Sequence, residues 1–412
     1  MQRAVPALVG ALLVVASVGA SGALLAPADR PRATSVTVDA VSTNTSDVLA
    51  LDGTDRAGFG RADLSVTQTL DAASSTLATD FQRHRLAAAL DAANTDAERR
   101  RIVRNATAWV ERETAELRAT ERQMRAAYRA GDRSARAYLT TLGRLHARAT
   151  ALERTVQAIA TADVRTEGGI QHLRARLRTF QGPVRAALAA AMRGESSPRV
   201  FVAASASGVA LSTIDDGAFV RGAVRYDNLD DAVGSMAFDE AETRFGELYP
   251  WTSAHKQRIS MGAIGADVYV VEYTHSHGTL AAALDGSTGR IFREVQTKRL
   301  SSLPVETTVH RTGNLTIGVS RTYGGGPLRV TVGNATGAPV ADATVTVNGT
   351  TVGTTSAGAV WTISPVGEYP IVVSTDAATV QVVVDPTSGV VVASANRTAR
   401  DPGSATTAVG GP

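Results

Sequence analysis

The residues best suited to chemistry in this 412-residue chain are two histidines, His275 and His277, separated by Ser276. Alternate residues on a strand face the same side, so both imidazoles could ligate one metal ion. Glu272 has the opposite parity and does not join them on a regular strand. The competing reading is a pair of exposed hairpin residues. Asp227-Asn228-Leu229-Asp230-Asp231 offers oxygen ligands of the kind calcium takes. It lacks the glycine and distal glutamate of an EF-hand loop, and a turn followed by a helix N-cap accounts for it equally. No Gly-x-Ser-x-Gly, His-Glu-x-x-His or phosphate loop occurs. The chain has no cysteine, which excludes disulfides, thiolate catalysis and Cys-based zinc sites. The expectation is no catalytic residue, no cofactor and no resident metal, with His275 and His277 as the metal candidates held in reserve.

Asn44, Asn105, Asn314, Asn334, Asn348 and Asn396 each have Ser or Thr two residues on and are candidate glycosylation sites. They accompany an export signature. Residues 1–26 place Arg3 before an uncharged run through Leu8, Leu12, Leu13, Val14 and Val15, then Ser17, Gly19, Ala20, Ser21, Gly22 and Ala23. That order is a secretory signal peptide, cleaved after Ala20 or Ala23, or an N-terminal anchor left in place. Residues 27–63 read as a Thr/Ser/Asp-rich linker with one short strand near Ser35–Val41. The expected location is extracellular or on the cell surface.

The elements that position these residues fall into three modules. Between 64 and 194 apolar residues recur at helical spacing. Tyr138, Leu142, Leu145, Ala149, Leu152, Val156 and Ile159 lie on one seam. Thr95-Asp96-Ala97-Glu98 is a capping box opening the preceding helix, whose seam is Val103, Val110, Leu117 and Met124. Gly131 is a stop signal. An earlier helix carries Leu70, Leu77, Phe81, Leu86 and Leu90. A later one, from Ile170 to Leu188, is kinked or split at Gly182-Pro183. The expectation is an antiparallel helical bundle or a pair of helical hairpins, with apolar stripes as core, or a coiled-coil-like seam used for self-association.

From Phe81 to Arg193 there are about 22 Arg and about 11 Asp plus Glu, a local excess of about +11 in a chain of net +3. Lysine occurs only at Lys256 and Lys298. Such a module could hold acidic surface polymers or anionic lipid headgroups, dock on the acidic remainder of its own chain, or simply be solvated. Glu121–Arg125 and Glu116–Arg112, at i,i+4 spacing, neutralise part of it. Nucleic acid is not expected, since no recognised binding motif accompanies the charge.

Residues 198–300 read as an α+β module: short strands around Val200, Val209 and Phe219, a helix capped by Asp230 and running through Phe238, Phe245 and Leu248, then strands 257–264, 268–274, 279–284 and 290–296. Val268-Tyr269-Val270-Val271-Glu272-Tyr273 and Ala283-Leu284-Asp285-Gly286-Ser287-Thr288-Gly289-Arg290-Ile291-Phe292 resemble the PepSY-type modules of envelope proteins and protease propeptides. Residues 301–395 alternate as β-strands, and 396–412 form a flexible tail. The run Gly337–Val347, Thr354-Thr355-Ser356-Ala357-Gly358 and Gly367-Glu368-Tyr369 resemble carboxypeptidase-regulatory-like and invasin-type Ig-like sandwiches. That resemblance implies a stalk or adhesive spacer. Trp109, Trp251 and Trp361 are each expected to anchor the core of their own module.

The fold class expected is therefore multidomain: a helical bundle or coiled-coil-like module, an α+β antiparallel module and an all-β Ig-like sandwich. This order resembles uncharacterised exported proteins of halophilic archaea, although their surfaces are usually strongly acidic and this chain is net positive. The function expected is structural or binding, with envelope proteins, acidic polymers or anionic lipid as partners. The alternative is a regulator or inhibitor of an exported protease acting through the PepSY-like module.

Overall fold

The computed structural model describes residues 45–62, 66–162, 169–230, 236–265, 267–304, 306–384 and 391–396. The signal or anchor segment, the strand near Ser35–Val41, Asn44, Asp231 and the tail beyond Asn396 lie outside the described residues. No helix among the described residues is long and apolar enough to cross a membrane.

Five helices fill the first half: α1 (Val66–Ala92), α2 (Asp96–Ala130), α3 (Ala135–Ala160), α4 (Gly169–Arg178) and α5 (Pro183–Met192). Local signals set their ends. Thr95 Oγ1 accepts the Glu98 N–H at 3.2 Å, and Glu98 accepts the Asn94 N–H at 3.0 Å, one residue before the cap. Gly131 closes α2 at φ +93°, a conformation that costs glycine nothing. Pro183 starts α5 afresh, because a proline has no N–H to continue α4.

The seam read on α3 is real, and it is spent inside the chain. All seven of its residues are buried. So are Leu139, Gly143, Ala151 and Thr155 on other sides, because α3 packs against α1, α2, α4 and α5. The heptad read on α2 drifts: burial moves from Val103, Val110 and Leu117 to Glu121, Arg125 and Tyr128. A straight helix at 3.6 residues per turn departs from a strict 3.5 repeat in this way. The stripe expected on α1 is only half buried. Leu86 is covered, whereas Leu70, Leu77 and Phe81 are exposed.

The linker reading fails between 45 and 61. Arg56–Arg61 is a strand, β1, paired antiparallel with β2 (Arg199–Ala204), Arg56 opposite Ala204 and Arg61 opposite Arg199. Its glycines made it look like linker. Gly60 is there because a Cβ would lie 2.8 Å from Leu139 on α3. Phe59 packs edge-on against Phe201, with ring centroids 5.1 Å apart. The helices thus form one long excursion between two neighbouring strands.

β3 (Gly208–Asp215), β4 (Ala218–Arg225), β5 (Lys256–Ile264), β6 (Val268–His275), β7 (Gly278–Asp285) and β8 (Arg290–Arg299) complete an eight-stranded antiparallel sheet of order β1-β2-β3-β4-β8-β7-β6-β5. Between β4 and β5 lie α6 (Phe238–Leu248) and α7 (Pro250–Ala254). α6 begins at Phe238, with Glu240 accepting the Ala237 N–H, so Asp230 is not its cap. The backbone N–H of Asp230 instead donates to Asp285.

Period-2 alternation sends successive side chains to opposite faces. Val200, Val202, Ala204, Val209 and Leu211 join the helices in one core. α1–α5 are therefore a layer on the sheet and not a bundle with a core of its own. On the opposite face α6 packs over β6 and β7 through Phe245, Tyr269, Tyr273 and Leu280.

The last part is a β-sandwich. Its strands are β9 (Glu306–Thr312), β10 (Leu315–Arg321), β11 (Pro327–Asn334), β12 (Thr344–Val347), β13 (Thr350–Thr354), β14 (Ala359–Ile363), β15 (Tyr369–Ser374), β16 (Thr379–Val384) and β17 (Val391–Asn396). They form sheets β14-β11-β10-β9 and β13-β12-β15-β16-β17 around Ile317, Val330, Val345, Ile371 and Val382. Asn348-Gly349 makes the β12–β13 turn with φ +47° and +74°, as an Asn-Gly hairpin requires.

Candidate functional site

β8 sits in the middle of the sheet, and on one face it presents Glu294, Gln296 and Lys298, all fully buried. Arg221 on β4, opposite Gln296 in register, stands beside them. A row of buried polar groups must be matched bond by bond. Residues 45–51 supply most of the match, lying across β8 as a strap. Leu49 N–H donates to Glu294 at 2.6 Å, Gln296 Nε2 to the Asp47 carbonyl at 2.6 Å and Ser46 Oγ to Gln296 at 3.1 Å. Lys298 Nζ donates to Thr45 Oγ1 at 3.3 Å. Arg221 spans both partners, bonding Glu294 at 2.6 Å and the Leu49 carbonyl at 2.8 Å. Tyr249 Oη donates to Glu294 at 3.0 Å, and Asp47 accepts the Trp251 and Thr252 N–H groups at the start of α7. The strap is held by β8 side chains where a further strand would be held by backbone.

Burial sets the protonation of this cluster. Lys298 is pushed down from 10.5 to about 7 by desolvation, against the pull of Glu294 and with a push from Arg221. Its ammonium lies 5.2 Å from the centroid of the Tyr323 ring. The Tyr249 hydroxyl is held well above its usual range by burial and by the Glu294 carboxylate.

His275 and His277 sit at the edge of this cluster. They are not an exposed hairpin pair. His275 is buried on the face that carries Lys298, while His277 is half-buried in the β6–β7 turn. Their ring centroids are 5.8 Å apart with planes nearly perpendicular. His275 Nδ1 accepts the His277 backbone N–H at 3.3 Å, which leaves the proton on Nε2. Trp251 stacks on His277 at 5.2 Å and on His255 at 4.3 Å. Burial lowers His275 to about 4, helped by Lys298, so the ring is neutral at pH 7. Among the described residues no group of three His, Asp or Glu is placed to hold a metal. Glu272 is exposed on the other face, as its parity required.

Among the described residues the oxygen-rich run does not converge on a metal site. Asp227 pairs with Arg225 at 2.6 Å, and Asn228 Nδ2 donates to the Ile291 carbonyl. Asn105, Asn314, Asn334 and Asn348 are exposed. The Asn334 side chain already accepts from Thr336 and the Ala338 N–H. Asn396 lies on β17.

Of the two i,i+4 pairings read from sequence, Glu121–Arg125 forms as expected, as a buried pair at 3.1 Å. It is extended by the Tyr138 hydroxyl at 2.8 Å and by Arg125 bonds to the Ser205 and Ala206 carbonyls. Glu116 pairs across to Arg148 on α3, which also bonds Glu113.

Beside the polar row lies a cavity of about 100 Å³ between strap, sheet and sandwich. Leu51, Phe201, Arg221, Arg321, Tyr323 and Val366 line it. Phe201, Phe219, Leu300, Leu303 and Ile363 close the junction around it, with Trp361 against them. Trp361 thus serves the junction rather than the sandwich core, and Trp251 serves the histidine stack.

The sandwich that forms the cavity's outer wall decides the one comparison that carries a descriptive name. Residues 306–382 match the archaeal fibronectin-III type-like domain. Residues 1–197 match a domain of unknown function (DUF7096), and residues 200–304 a family of unknown function (DUF7094). No curated protein and no solved structure matches the chain. The fibronectin-III-like domain agrees with the Ig-like sandwich expected from the strand pattern. β1 and the strap, inside the first matched region, complete the sheet built by the second.

Sequence reading missed Arg221, Glu294, Lys298 and Tyr323. Glu294-Val295-Gln296-Thr297-Lys298 alternates like a half-solvated strand, and only the strap reveals that its polar side is inside. The one usable signal was the rarity of lysine.

Proposed function

We propose that this is an exported protein of the archaeal cell envelope or surface with a structural or binding role. The observation that carries the reading is the fibronectin-III-like domain seated on the sheet face through Phe201, Phe219, Leu303 and Ile363. This attachment makes the domain a fixed arm of a larger body. The amino-terminal export pattern and four exposed sequons support it. The basic helical layer faces outward with Arg100, Arg101, Arg104, Arg112 and Arg122 exposed along α2, a surface suited to envelope proteins, acidic polymers or anionic headgroups. Fractionation of expressing cells, with surface labelling of the intact full-length protein, tests this. Recovery in the envelope or medium is expected, and recovery solely in the cytoplasm sinks the proposal.

A second reading, regulation of an exported protease, draws on β5. It is an outer strand of the sheet, and Lys256, Gln257, Arg258, Ile259 and Ser260 are exposed. Such an edge can add a strand of a protease or its substrate, although Lys256 and Arg258 also guard it against unwanted pairing. Inhibition of a co-exported protease by the full chain, lost when Ser260→Pro blocks the edge, is the expected result. No effect of the wild-type chain on any co-exported protease removes this reading.

A further inference from the structure

α2 sorts its charges by side. Of its six carboxylates, Glu98 accepts the Asn94 N–H at the cap, Glu113 and Glu116 turn to Arg148 on α3, and Glu121 is buried against Arg125. Asp96 stays in the first turn, so Glu111 is the one carboxylate left along the outward side. Arg100, Arg101, Arg104, Arg112 and Arg122 are exposed there, and none has an ion-pair partner among the described residues. Arg112 is released because Glu116, its i+4 neighbour, is taken by Arg148. Arg118 and Arg129 share this side but are engaged, Arg129 with Asp55.

At 3.6 residues per turn the five free arginines fall within about 120° of the helix circumference, away from the buried Val103, Val110 and Leu117. At 1.5 Å per residue they extend over about 33 Å, from Arg100 to Arg122. Beyond the group at 100–104 the steps are about 12 and 15 Å, too long for the arginines to meet on one small anion. Ala115, Ala119 and Ala126 are exposed among and beyond them and leave a low track along the axis. Such a row fits a linear polyanion. None of the exposed large apolar side chains lies on α2, so the row has no anchor for a bilayer and no exposed ring on which bases stack. A protein partner would call for aromatic or aliphatic anchors as well. A polysaccharide needs neither. Guanidinium forks take carboxylate or sulfate oxygens two at a time, and the exposed Gln123 offers a donor and an acceptor to hydroxyls.

We propose that the α2 row binds a linear acidic polysaccharide, laid along the helix with its carboxylate or sulfate groups on Arg100, Arg101, Arg104, Arg112 and Arg122. This names the partner of the basic layer and rests on the surface-protein reading, which puts the chain among such polymers. Cell fractionation tests the location, whereas binding by the purified protein tests the row, so either can fail alone.

Polygalacturonate and dextran sulfate, one a carboxylate and one a sulfate polymer, are titrated calorimetrically into the full-length chain at low salt. Micromolar binding of at least one is expected, with none of neutral dextran and none of the galacturonate monomer, which cannot span the row. Raising sodium chloride from about 50 to about 500 mM should weaken binding at least about tenfold, as released counterions are restored. Arg112→Gln with Arg122→Gln should cost about tenfold or more and flatten the salt slope by about one to two. Glutamine suits a helix nearly as well as arginine, so the fold should be kept, and circular dichroism checks it. Arg144→Gln with Arg258→Gln removes the same charge from exposed positions on α3 and β5 and should change affinity less than about twofold. No binding of either polymer, equal losses in the two double variants, or tighter binding of phosphatidylglycerol vesicles or poly(dT) than of both polysaccharides each overturns the proposal.

Discussion

Replacing Lys298 by methionine should stabilise this protein, by an amount that depends on pH. The ammonium is fully buried, and its pKa falls from 10.5 to about 7. Between those values the unfolded chain holds a proton that the native chain has released, so native stability rises with pH across that window. The difference of about 3.5 units corresponds to a cost of roughly 4–5 kcal/mol at pH 7, vanishing near pH 10.5. Lys298→Met removes that cost. It also removes the bond to Thr45 and the contact with the Tyr323 ring, together worth about 2 kcal/mol. The net expectation is a gain of about 2 kcal/mol at pH 7, falling to zero or below near pH 10. Urea unfolding of both proteins from pH 6 to pH 10 measures it. The wild type should gain up to about 1.4 kcal/mol per pH unit above pH 7.5, in excess of the variant. Parallel pH profiles, or a variant less stable at every pH, refute the assignment of a buried, depressed lysine.

Glu121→Gln leaves Arg125 buried beside a neutral partner and should cost about 3 kcal/mol by urea unfolding, far beyond the fraction of a kcal/mol for an exposed helix pair. Gly278→Ala should cost more than about 3 kcal/mol or prevent folding: at φ +152° its Cβ would lie 1.9 Å from the Thr297 carbonyl oxygen, and circular dichroism would show the loss. Residues 62–198 expressed alone should show helix by far-UV circular dichroism but no cooperative melt, because Val200, Val202, Ala204, Val209 and Leu211 complete their core; a sharp melt counts against the shared core. Acidification from pH 6.5 towards pH 4 should erode stability as His275, held near 4 in the native chain, resists a proton that the unfolded chain accepts; His275→Gln should flatten that part of the profile.

The periodicity of α3, the Gly131 stop, the break at Pro183 and the Asn-Gly turn at 348–349 were all legible, since each depends on residues a few positions apart. The strands after 198 were legible too, because alternation is a local property. What escaped was long-range. Gly60 looked like a linker residue because the helix that needs it small comes more than seventy residues later. Leu70, Leu77 and Phe81 looked like core because periodicity records an apolar face without recording what covers it. The charge excess of residues 81–193 was legible in sum, but Glu121 and Arg125 sit on the buried side of α2. The site residues on β8 hide behind a polar alternation whose covering strap lies some 250 positions upstream.

That separation has a consequence for how the molecule is made. Thr45 to Leu51 is synthesised early, yet β8 is not available until nearly the whole of the eight-stranded sheet has been translated. The helices can gather around α3 in the meantime, since their contacts are closer in sequence. β1 must wait for β2 beyond the helices, and the strap for β8, with their hydrogen-bonding groups in water. Closing such a distance before any contact rewards it makes assembly slow. The vulnerable species is therefore a half-built one, with helices formed and the amino-terminal edge still open to proteases and to neighbouring chains.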